Sequence, residues 1–149
     1  MASPPPPDPS SRSSPRVRLV SARDQLANTP YAYAAVVAAT AELVVTAGAC
    51  PLDAAGRVVA PGDVIAQARQ VMANLETALA AAGARLNDVV KTTVYVASSE
   101  RRDLTAAWQV VSSALGSHAA PSTLLGVAVL GFPGQLVEVE AVAALGTAG

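Results

Sequence analysis

The chain has 149 residues, enough for one domain with a real core and hardly enough for two. Apolar residues make up 52% of it and charged residues only 14%, and ten Lys+Arg against eleven Asp+Glu leave a net charge of −1. That balance argues against a nucleic-acid binder, which carries a basic surplus or stripe, and against electrostatic recruitment to a membrane surface.

Cysteine usage narrows the setting further. Cys50 stands alone, so an intrachain disulfide is impossible and a reducing cytoplasm is the expected compartment. With His118 as its only histidine, the chain cannot build a Cys/His zinc cluster.

Residues 1–15, MASPPPPDPSSRSSP, are rich in Pro and Ser and read as a disordered tail with no signal-peptide core. Residues 16–149 read as a single domain. RVRLVS (16–21) alternates as a first strand, and YAYAAVVA and ELVVTAG follow as the next two. The apolar run from Tyr31 to Cys50 approaches membrane-spanning length, but Glu42 near its middle favours two short strands with a turn near 39–41.

PLDAAGRVVAPG is turn and loop. The next segment is the clearest helix, with Val64, Ile65, Ala68, Val71, Met72, Leu75 and Leu79 at helical spacing. Asp63 is its expected N-cap and Gly83 its stop. NDVVKTTVYVAS (87–98) returns to a period of two, and a second helix within 101–115 presents Leu104, Trp108, Val111 and Leu115 before Gly116. STLLGVAVL (122–130) and LVEVEAVAAL (136–145) are the last strands, joined by GFPGQ.

The order β-β-β-α-β-α-β-β predicts an α/β (α+β) fold, a mixed sheet of about six strands with two helices on one face. Helical crossovers predict parallel pairs in the middle of the sheet and antiparallel pairs at its ends. Two helices cover only one face, yet the strands are apolar on both. The second face is therefore expected to be buried by another copy of the chain.

Glu138 and Glu140 share one face of the last strand, about 7 Å apart, while Val137, Val139 and Ala141 share the other. Carboxylates on a strand this apolar meet water, a partner or a site. No GxGxxG, Walker loop, HExxH or CxxC occurs, which sets aside dinucleotide, nucleotide and zinc chemistry. Cys50 reads as a small buried hydrophobe, and Lys91, Thr93 and Tyr95 as one strand face with a structural or interface role.

PYAYAAVV, VVTAGACPLD, QARQVMANLETALAAAGA, DVVKTTVYV and GVAVLGFPGQLVEVEAVA together resemble the Rid superfamily of reactive intermediate deaminases, also called YjgF-like proteins. The likeness runs from about Val17 to Ala144. It implies a chorismate-mutase-like fold assembled as a homotrimer, with sheets lining a central barrel, helices outside and clefts between subunits. Members of that family hydrolyse reactive enamines and imines, such as 2-aminoacrylate, to ketones and ammonia without metal or cofactor.

By the same resemblance, Tyr31 matches the family's site tyrosine, Gly48 its glycine and Glu138 its last-strand glutamate. The chain departs elsewhere: Ala47 replaces the serine before the glycine. The P-A-R-S-C-V pattern falls on 120–125, so Ser122 stands for the arginine and Leu124 for the cysteine. Loss of the arginine removes a bidentate clamp for a substrate carboxylate.

The resemblance thus implies a cofactor-free enzyme for the hydrolytic deamination, tautomerisation or cyclisation of a small enamine, imine or conjugated intermediate, in a catabolic or secondary-metabolic step. Glu138 is its expected acid–base group and Tyr31 its helper, with Gly48, Ala47, Ser122, Thr123, Leu124 and Leu125 around the substrate. The alternative is a non-catalytic trimer that binds a metabolite or a partner protein. RNA cleavage fits poorly with the charge and the single histidine.

Overall fold

The structure is a computed structural model that describes residues 16–146; the expected tail at 1–15 lies outside the described residues. Among the described residues, six strands and two helices follow in the expected order: β1 Val17–Val20, β2 Ala34–Val37, β3 Ala41–Val45, α1 Val64–Ala81, β4 Val89–Val96, α2 Arg101–Leu115, β5 Ser122–Gly126 and β6 Val137–Gly146. A 3-10 turn, Leu86–Asp88, leads into β4. Among the described residues no helix is long and apolar enough to cross a membrane.

The strands do not form one six-stranded sheet. β1 and β2 pair antiparallel as a separate ribbon, and the main sheet has four strands in the order β3-β6-β4-β5. The pairing expected in the middle also shifts outward. Among the described residues only β4 and β5 pair in parallel, at the sheet edge, while β6 runs antiparallel to both β3 and β4. β6 inserts between the two strands that α1 connects, so that crossover gives parallel strands that are not neighbours.

Local chemistry explains both helices. Asp63 accepts a hydrogen bond from Ala66 N at 2.9 Å, capping α1 where the expectation put it. At the far end Gly83 adopts φ +79°, and the Ala84 N–H turns back to the Leu79 carbonyl at 2.8 Å. Ala68, Val71, Met72, Leu75 and Leu79 are buried, whereas Ile65, expected on that face, is 44% exposed. Leu75 and Leu79 are fully enclosed, and each contributes about 1.5–3 kcal/mol of burial energy. On α2, Ala107, Val111 and Leu115 are buried, with Leu104 and Trp108 packed beside them.

Both helices lie over the side of the sheet formed by Val89, Val94, Val96, Val137, Val139, Ala141 and Ala143. The opposite side stays open. Leu43, Val45 and Leu125 are 57%, 73% and 43% exposed there. In cross-strand register, Val45–Val142–Lys91, Glu140–Thr93–Thr123 and Glu138–Tyr95–Leu125 make successive rows of this open face.

Two irregularities set the site. β5 ends at Gly126 rather than continuing to 130, and the chain at Gly126 runs close to the Ser98 carbonyl, 2.8 Å from where a Cβ would stand. β3 stops at Val45, opposite Val142, yet the chain rejoins β6 at the Ala49–Val139 bridge. Four steps of chain therefore oppose three of β6, and the extra residue falls at 46–48. Such bulges redirect the chain beside a strand and often border functional sites.

Candidate active site

The bulge brings Gly48 against Glu138. A Cβ built on residue 48 would overlap Glu138 Oε1 and stand 2.6 Å from its Cδ, so only glycine leaves the carboxylate this seat. Two further groups hold the other oxygen. Gln135 Nε2 donates to Oε2 at 2.9 Å, and the Cys50 thiol donates to the same oxygen at 3.5 Å. Asn74 of α1 donates to the Cys50 and Leu52 carbonyls at 2.8 and 3.0 Å, which fixes the Cys50 backbone.

Glu138 is half-buried on the open face, and Glu140 lies on the same face one row away. Glu140 Oε1 accepts from the Tyr95 hydroxyl at 3.0 Å, which with burial holds that phenol above its ordinary pKa. Lys91 Nζ donates to the Thr92 carbonyl at 2.6 Å and to Thr123 Oγ1 at 2.8 Å. Burial lowers the Lys91 pKa, and the Glu140 charge opposes that shift. The Cys50 thiol is pushed up by burial first, then by the Glu138 charge and hydrogen bond.

Of the residues singled out in the sequence, the structure gathers Glu138 and Gly48, with Ala47 exposed beside them in the bulge. Leu125 stands on the Glu138 row and Thr123 on the next, both on the open face. Ser122 and Leu124 point to the helix side. Ser122 Oγ lies 2.6 Å from the buried Thr92 hydroxyl, and Leu124 packs against the core. On the face that carries Glu138, β5 therefore presents Thr123 and Leu125 and not Ser122 and Leu124.

Tyr31 is not brought to Glu138 within one chain. Its ring sits edge-on to Tyr33 and to Trp108 of α2, each 6.1 Å away between centroids, on the helix side. His118 Nε2 is 2.6 Å from the Val89 carbonyl, which makes it a loop anchor. Sequence reasoning missed Gln135 and the place of Cys50. Gln135 lies in the turn before β6, and no spacing rule links a turn amide to a strand carboxylate three residues on.

A family described as endoribonuclease L-PSP matches residues 23–145. A RutC family protein of Pyrococcus horikoshii is 35% identical over 98 residues, 65% of this chain and 75% of that protein. A 2-iminobutanoate/2-iminopropanoate deaminase of Salmonella typhimurium is 46% identical over 54 residues, which span 36% of this chain and 41% of that protein. The crystal structure of a Rid family protein from Yersinia pestis superposes with a TM-score of 0.79 at 30% identity, covering 87% of this chain and 99% of that one. The chain belongs to the Rid superfamily of YjgF-like proteins, the family described as endoribonuclease L-PSP.

Proposed function

We propose that this protein is a homotrimeric, cofactor-independent enzyme of the cytoplasm that hydrolyses a small imine or enamine, with Glu138 as its acid–base group. The observation that carries this reading is the Glu138 carboxylate held over the Gly48 bulge, with Oε2 bound by Gln135 and Cys50. The name of the Salmonella relative, 2-iminobutanoate/2-iminopropanoate deaminase, supports the reaction class.

An enamine first takes a proton from water on carbon to give the iminium ion. Water then adds to the iminium carbon as Glu138 takes its proton, forming a neutral carbinolamine. Glu138 returns that proton to nitrogen, and as the C–N bond breaks the hydroxyl gives its own proton back to Glu138, so ammonia and a ketone leave and the carboxyl releases the proton to solvent. One carboxylate serves as base and then as acid, which is why its position matters more than that of any other group.

Thr123 and Leu125 define what the site accepts. A clamp working with Glu138 would stand on its face of β5, where this chain has not Ser122 but Thr123, whose hydroxyl already accepts from Lys91, so no guanidinium is offered there to a substrate carboxylate. The substrate is therefore larger or less dependent on a carboxylate than 2-aminoacrylate. The exposed apolar side chains Leu43, Val45 and Leu125 on the open face support assembly through that face, which in a trimer turns it inward.

A panel of imines generated in solution, with and without a carboxylate, tests the reading by ketone and ammonia release above the buffer rate. Acceleration that persists when the carboxylate is esterified is the expected result. Binding of panel members without acceleration of any would instead identify a non-catalytic metabolite-binding trimer.

A further inference from the structure

We propose that Gln135 is the positioning residue of this site, an inference that rests on Glu138 being its acid–base group. Gln135 is 4% exposed and every polar atom of its amide is engaged. The Phe132 N–H donates to Oε1 at 3.1 Å, so that atom is the oxygen and the amide orientation is fixed by chemistry. Its Nε2 hydrogens are then directed at the Val137 carbonyl, 3.2 Å away, and at Glu138 Oε2, 2.9 Å away.

The clamp is itself anchored. Gln135 N donates back to the Phe132 carbonyl at 3.0 Å, closing the turn on both its main and side chain. The wholly buried Gln67 of α1 takes the Leu136 N–H at 2.7 Å and donates to the Gly134 carbonyl at 2.9 Å. A chain of amides thus runs from the core of α1, through the turn before β6, to one oxygen of Glu138. The Cys50 thiol is a weak donor at 3.5 Å and does not replace it. With Oε2 tied to Gln135 and Cys50, Oε1 is seated over Gly48 and accepts no hydrogen bond among the described residues.

Two variants test this in the full-length protein, with the methyl ester of 2-iminobutanoate as the substrate probe. Gln135→Met keeps length and volume but removes the donor. Its kcat is expected to fall about tenfold or more while KM changes less than about twofold, the split expected when a catalytic group is misplaced but the substrate pocket is intact. Gln135→Glu sets a second carboxylate against Glu138. Its activity is expected to rise towards the parent value as the pH falls and the new carboxyl, once protonated, donates to Glu138.

A crystal structure of Gln135→Met supplies a readout free of turnover, with the Glu138 carboxylate expected to have left its seat over Gly48. A carboxylate still seated there, or a Gln135→Glu pH profile of the same shape as the parent's, overturns the inference. Full activity in Gln135→Met with an inactive Glu138→Gln overturns the positioning role alone. Full activity in Glu138→Gln overturns the reading beneath it.

Discussion

The carboxylate of Glu138 occupies the space that a side chain on Gly48 would fill. The group in the way is the far end of a flexible side chain, so Gly48→Ala is absorbed by moving Glu138 rather than the backbone. Stability is expected to fall by only about 1–3 kcal/mol, whereas turnover falls on the order of a hundredfold from misplacement of the reacting group. Thermal melting and steady-state rates on the same sample check both halves. Equal loss in each would place the strain in the fold instead.

Cys50 reports on the same carboxylate. Burial and the Glu138 charge both raise its thiol pKa, so at a given pH less of it is thiolate than in a free cysteine. Glu138→Gln removes the negative charge and moves the pKa down, which increases the thiolate fraction. Iodoacetamide alkylation at pH 8 is expected to be faster in that variant than in the parent. It stays slower than a free thiol, because burial is the larger cause. An unchanged rate would separate Cys50 from Glu138.

Gln67 carries the mechanical load between helix and turn. Gln67→Met leaves the Leu136 N–H and the Gly134 carbonyl without their side-chain partner. A loss of about 1–3 kcal/mol is expected, read as a fall of roughly 5 °C in melting temperature. A variant as stable as the parent would mean that the turn finds other partners at no cost.

Assembly is tested at Val45, which is 73% exposed on the open face. Light scattering is expected to give three times the monomer mass for the parent. Val45→Glu places a charge where another subunit would bury it and is expected to shift the mass towards that of a monomer. A parent that runs as a monomer would remove the trimer from the account.

The legible parts of the sequence were those with a local cause. α1 announces itself through Asp63, Gly83 and the apolar period between them, and β4 and β6 through strict alternation. The separation of β1 and β2 from the main sheet was not legible, because which edges pair is decided by packing across the whole chain. The site shows both sides of this. Glu138 and Gly48 were marked by the family resemblance, but period two makes a one-residue offset exchange the faces of a strand, so Ser122 and Leu124 were read where Thr123 and Leu125 stand. Gln135 was invisible because its role depends on how the Phe132–Gln135 turn closes.

The central claim is that Glu138 moves the proton. The most direct measurement is the rate of ketone formation from an imine by Glu138→Gln, which keeps the shape and the Gly48 seat but cannot accept or return a proton at that oxygen. The account predicts a fall of about a hundredfold or more with the fold and assembly unchanged. Turnover equal to the parent's would contradict it.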